Sequence, residues 1–139
     1  MSLMGGGPVV HPGTYNGNPL SMAAAVATLR ELRTGEPHAR IEEQGRRLMA
    51  GLADVVGVRF PGARTEGVPA SFRLFLGDPD NGMDDGRHES LIAELTLALL
   101  EQGVRTVPGG MWYLTSAHDA AVVDETLDRA AAAVTTLAS

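Results

Sequence analysis

Between Gly13 and Leu20 the sequence reads Gly-Thr-Tyr-Asn-Gly-Asn-Pro-Leu, and that run could hold an anion. Gly13 lets the backbone approach a ligand closely, Thr14 offers both a hydroxyl and an amide, and a helix N-terminus is expected a few residues on. Several donors in a small space are what a phosphate needs. From spacing alone the same residues also read as a Gly-Asn turn that caps a helix, because such a motif needs its structural context before it counts as a site. The rest of the chain narrows the chemistry by what it lacks. All 11 basic Lys/Arg side chains are arginine, so there is no lysine to form a Schiff base or to serve a phosphate-binding loop. There is no cysteine, which excludes disulfides, thiolate metal sites and cysteine nucleophiles.

The remaining candidates are weak. The four histidines are His11, His38, His88 and His118. No two stand four apart and no H-E-x-x-H occurs, so no zinc site is expected. His11, beside the anion motif, reads as a loop residue, and His118 as the end of a strand or part of a helix cap. Asp78 to Gly86 with Glu89 faintly resembles a calcium loop, but Met83 stands where the sharp turn needs glycine; a solvated acidic loop is the expectation. No G-x-S-x-G is present. Trp112 and Tyr113 read as core and rim residues of a sheet. No catalytic residue and no metal ligand is therefore assigned.

Composition sets the outer limits. The 139 residues are 44% hydrophobic and 20% charged, with a formal net charge of −6, which suits one globular domain with a sizeable core. An acidic chain without a basic stripe is a poor partner for nucleic acid. No apolar run approaches a membrane span, and no signal peptide is visible. A cytoplasmic setting is expected.

Residues 1–3 read as an expression scar, 4–18 as a loop carrying the phosphate-contact motif, and 19–139 as the domain itself. Asn18 suits an N-cap and Pro19 the first helical position. An Ala-rich helix is predicted over 20–33, closed by Gly35. Pro37 opens a second helix with Ile41, Leu48, Leu52 and Val55 on its core face, ending at Gly57. A short strand is predicted at 58–60. A better one follows at 70–76, where Phe72, Leu74 and Leu76 alternate with Ser71, Arg73 and Phe75. A helix over 88–102 turns Ile92, Leu95 and Leu99 inward and stops at Gly103. Strands are predicted at 104–107 and 112–116, around the turn Pro108-Gly109-Gly110. A last helix, 120–137, carries Val123, Leu127, Ala130, Val134 and Leu137. The order implies an α+β fold: a small, mostly antiparallel sheet of three to four strands covered by helices and preceded by a long connecting helix.

The run from Gly13 to Leu20, followed by Ser21-Met22-Ala23-Ala24-Ala25, resembles a signature of the class III, pyridoxal-phosphate-dependent aminotransferases. Gly7-Pro8-Val9, Gly103-Val104 and Ser116-Ala117-His118 are similar to the glutamate-1-semialdehyde aminomutase branch, and the resemblance extends in order and spacing from Gly7 to Leu137. It implies the C-terminal small domain of a fold type I enzyme, with pyridoxal 5'-phosphate as the cofactor of the intact protein. Thr14 would touch the cofactor phosphate of a neighbouring subunit, and Gly13 would support it. It also implies a missing large domain that carries the Schiff-base lysine, a homo-oligomer, and an amino-acid-like substrate. Two departures stand out. The stretch Met111-Trp112-Tyr113-Leu114-Thr115 has no arginine where many carboxylate-binding members place one, and Pro108-Gly109-Gly110-Met111 replaces a Pro-Ser-x-Phe. The chain alone is expected to be inactive. The alternative is a non-catalytic module of the same fold that binds a phosphate ligand or a protein.

Overall fold

In the computed structural model, residues 13, 15–77 and 85–137 are described. They fall into two units, Met1–Gly35 and Glu36–Ser139. The described residues of the first unit include one helix, α1, Pro19–Leu32. Its start follows from local chemistry. The Asn18 side chain accepts from the amides of Leu20 (3.0 Å) and Ser21 (3.3 Å), and Pro19 needs no partner at the first helical position. At the far end Arg33 donates back to Leu29. Gly35 then takes a φ of +80°, a left-handed turn that glycine allows at no steric cost. No residue of α1 is buried.

The second unit opens with α2, Glu36–Gly57, whose buried residues are Gln44, Gly45, Leu48, Leu52 and Val56. The inward face is therefore close to expectation, with one correction: Val56 is buried, whereas Val55 and Ile41 are only partly so. Steps of four residues from Leu48 stay on one stripe of a helix, and Val56 continues them.

The strand expected at 58–60 does not form. Val58 is 87% exposed, and the amides of Arg59 and Phe60 both turn back to the carbonyl of Val56, so these residues wind down the end of α2. The first strand is instead β1, Arg64–Val68. Its sequence, Arg-Thr-Glu-Gly-Val, shows no apolar alternation because it lies at a sheet edge and buries little. β2, Ser71–Phe75, is the central strand, inside the 70–76 stretch that alternation indicated. β1 pairs with it antiparallel, Arg64 opposite Phe75 and Glu66 opposite Arg73.

After α3, Asp85–Glu101, Gly103 turns at φ +79°. The strand expected at 104–107 is reduced to one isolated bridge, Val107 to Met111. Val104 is drawn off by its amide, which donates to Leu99, so this segment caps α3 before it can join the sheet. β3 is Met111–Tyr113, shorter than expected, with Phe72 opposite Trp112 and Arg73 opposite Met111. Beyond it the chain turns, with the amides of Thr115 and His118 bonded to His118 Nδ1 and Thr115 O. α4, Ala120–Thr136, is capped by Asp119, whose carboxylate accepts from Val122 at 3.0 Å. His118 belongs to the turn, and the cap is the next residue.

Among the described residues the sheet thus has three strands in the order β1-β2-β3, all antiparallel, within the predicted α+β class. Phe72, Leu74 and Leu76 point into a core shared with Leu48, Leu52 and Val56 of α2, Ile92, Leu95 and Leu99 of α3, and Val123, Ala130, Ala133 and Val134 of α4. Phe72 and Trp112 stack with centroids 6.2 Å apart. The alternate residues Ser71, Arg73 and Phe75 point to the other face and stay partly exposed. Among the described residues no helix is long and apolar enough to cross a membrane, and no group of three His, Cys, Asp or Glu could hold a metal.

Candidate functional site

The turn before α1 is built by short-range bonds. The carbonyl of Gly13 accepts from Asn16 at 3.1 Å, and that of Tyr15 from Asn18 at 3.0 Å. Gly17, at φ +77°, reverses the chain where a side chain would be strained. Thr14 lies outside the described residues, as do His11 and residues 78–84 of the acidic loop. Gly13 is exposed, and a Cβ on it would stand 2.5 Å from Asn16 Oδ1, so the chain's own Asn16 side chain packs against it.

The start of α1 offers less to an anion than its position suggests. A helix normally leaves four amides free there. Here Asn18 donates to the carbonyl of Tyr15, Pro19 has no N–H, and Leu20 and Ser21 donate to Asn18 Oδ1. All four positions are accounted for within the chain. The macrodipole still favours negative charge, but direct donors to an anion would have to come from ahead of the cap, on the side of Gly13. With no lysine anywhere in the sequence, the chain does not supply a complete pyridoxal-phosphate site.

A second constellation was not singled out in the sequence. On the partly exposed face of the sheet, Arg73 of β2 donates from Nε to the carbonyl of Gly109 at 2.8 Å, and its guanidinium lies 5.1 Å from the centre of the Phe75 ring. Arg64 lies over the same ring at 4.7 Å, but it is tied to Glu66 (2.7 Å) and to the carbonyl of Gly77 (3.0 Å). His88 of α3 meets Phe75 with ring centroids 5.7 Å apart.

The turn that meets Arg73 is locked in place. Gly109 and Gly110 both have φ near +78°, and the Gly110 carbonyl accepts from Leu74 at 2.9 Å. A Cβ on Gly110 would stand 2.8 Å from Leu74 O and 3.1 Å from Ile92 Cδ1. Between this turn and α3 is a concavity of about 470 Å³, lined by Arg73, His88, Glu89, Ile92, Thr96 and Leu97 among others. Two signals in the sequence could have marked it: an arginine between Phe72 and Leu74, and a Gly-Gly pair whose positive φ at both residues and close approach at Gly110 need glycine. A smaller concavity, about 320 Å³, lies between β3 and α4. Its Arg129 is already bonded to Gln102 O and Glu125.

No family profile matches the chain. Curated proteins do. Glutamate-1-semialdehyde 2,1-aminomutase of Aquifex aeolicus is 33% identical over 128 residues, covering 88% of this chain and 30% of its own length. The protein of the same name from Methanocella arvoryzae is 41% identical over 78 residues, 54% of this chain and 18% of its own length. Among solved structures, an omega-transaminase from Sphaerobacter thermophilus superposes with a TM-score of 0.78 at 26% identity, over 94% of this chain and 31% of that one. A beta-phenylalanine aminotransferase from Variovorax paradoxus gives 0.72 at 26% identity, over 94% of this chain and 32% of that one. The chain spans about 30% of the length of the curated relatives it matches over most of its own length.

Proposed function

We propose that the chain, similar to an aminomutase over 88% of its length and superposing on an omega-transaminase with a TM-score of 0.78, serves as the C-terminal small domain of a pyridoxal-phosphate-dependent aminotransferase or aminomutase of class III. The observation that carries this reading is the match to an aminomutase over 88% of the chain but only 30% of the relative. The cofactor, when bound in the longer enzyme, supplies an electron sink for moving an amino group. The part of the enzyme beyond this domain supplies the Schiff-base lysine, because the 139 residues contain none. Gly13 and Thr14 contribute a contact to the cofactor phosphate. The sheet face with Arg73 and the Gly109–Gly110 turn lies towards an amino-acid-like substrate. The enzyme is a cytoplasmic homodimer in which the apolar side chains of α1 are covered.

The test is direct. The 139-residue chain is mixed with pyridoxal phosphate and an amino donor, and both absorbance and amino transfer are followed. No internal protein-linked cofactor band and no transfer are expected, beyond slow reaction at the N-terminal amine. A stoichiometric band with turnover would remove the division of labour between this domain and a lysine-bearing one.

A further inference from the structure

Three arginines among the described residues are half-buried: Arg64, Arg73 and Arg129. Arg64 holds the carboxylate of Glu66, and Arg129 that of Glu125. Arg73 holds none. Its cross-strand neighbour is Glu66, but that carboxylate is bonded to Arg64. Among the described residues, the side chain of Arg73 makes one hydrogen bond, from Nε to the neutral carbonyl of Gly109. Its two terminal nitrogens bond nothing among the described residues. Arg73 is only partly buried, so these nitrogens can be reached from solution.

Its geometry is already fixed for one. The bond to Gly109 and the ring of Phe75 restrain the plane of the group, and the free pair of coplanar nitrogens is the fork that binds a carboxylate bidentately. Arg73 lines a concavity of about 470 Å³, within the range of about 300–1,000 Å³ usual for small-molecule sites. The other walls include Ile92, Ala93, Leu97 and Pro108, so a ligand with an apolar body fits behind its charge. Glu89 also lines it, and its negative charge opposes a doubly charged phosphate more than a single carboxylate.

We infer that Arg73 anchors the carboxylate of a small ligand with an apolar body in the cleft between the Gly109–Gly110 turn and α3. On the aminotransferase reading, on which this identification of the ligand rests, that carboxylate belongs to the substrate, and Arg73 sets specificity without taking part in proton movement.

The experiment uses the 139-residue chain, labelled with nitrogen-15 and titrated with sodium benzoate while NMR follows the Arg73 Nε–H and the Gly109 and Gly110 amides. Sodium chloride at equal ionic strength and inorganic phosphate are the comparison titrants. The expected result is a saturable shift of these three signals with benzoate, absent with chloride and weaker with phosphate. Arg73→Gln should weaken it by at least about tenfold, the scale of losing a hydrogen bond to a charged group. Arg73→Lys, which keeps the charge and loses the fork, should fall between. Arg105→Gln, in the smaller concavity, should change nothing. Shifts no larger than with chloride, or unaltered in Arg73→Gln, would overturn the proposal, and tighter binding of phosphate would overturn its assignment to a carboxylate. Amino transfer is not read here, so failure leaves the aminotransferase reading standing, and loss of that reading leaves the binding result intact.

Discussion

A Cβ placed on Gly45 of α2 would stand 2.5 Å from the Cβ of Pro69 and closer still to its carbonyl oxygen. The helix therefore rests against the backbone between β1 and β2 at a point where no side chain fits. Gly45→Ala forces that backbone to move, and overpacking of this kind costs about 1–3 kcal/mol. Gly57, at the other end of the helix, has nothing within 4 Å of its Cβ position, and Gly57→Ala is expected to be neutral or stabilising by up to about 1 kcal/mol. Urea unfolding, followed through the fluorescence of the single tryptophan, Trp112, separates the two. Equal midpoints would mean that α2 is not pressed against Pro69.

That contact also marks how far the sequence could be read. Alternation at Phe72, Leu74 and Leu76 was enough for the central strand, and the spacing of Ile92, Leu95 and Leu99 for the face of α3, because both elements bury one side in the common core. The caps of α1 were legible in Asn18, Pro19 and Gly35, since capping is local chemistry. β1 was not legible: on this edge strand Thr65 donates to the carbonyl of Met49 and Glu66 pairs with Arg64, so it needs no apolar pattern. The segment at 104–107 carries apolar residues at Val104 and Val107 but gives the Val104 amide to Leu99, a choice set by the end of α3. Of the proposed cofactor contact, the sequence offered Gly13 and Thr14 through the family resemblance alone, and Thr14 lies outside the described residues. The Arg73 cleft depends on residues about 35 positions apart in the chain, Arg73 and Gly109, which no local pattern connects.

The helix α1 should govern self-association. Leu20 (80%), Leu29 (65%), Met22 (49%) and Val26 (47%) are all exposed, and Met22, Val26 and Leu29 recur at helical spacing on one face. Apolar patches of several hundred Å² tend to be covered by association. Sedimentation at micromolar concentration should show dimers or larger species, and Val26→Glu with Leu29→Glu should shift the population to monomer without loss of helicity, because glutamate is a good helix former. A wild-type chain that sediments as a clean monomer would contradict this.

Thr14 can be tested in the longer enzyme by cofactor titration. Thr14→Val should leave the fold unchanged and weaken binding of pyridoxal phosphate by about ten- to a hundredfold, corresponding to about 1.5–3 kcal/mol for a hydrogen bond to a charged group. Asn18→Ala serves as the contrast. It removes the cap from Leu20 and Ser21 and should cost about 0.5–2 kcal/mol of helix stability. Unchanged cofactor affinity in Thr14→Val would take Thr14 out of the phosphate site.

The central claim, that this domain works beside a lysine-bearing domain of the same polypeptide, is tested most directly by mass spectrometry of the natural gene product after borohydride reduction. The expected product is a polypeptide of which the aligned 128 residues make up about 30%, as in the Aquifex aeolicus relative, carrying one pyridoxyl group on a lysine outside these 139 residues. A natural product of 14.6 kDa with no pyridoxyl group would contradict it.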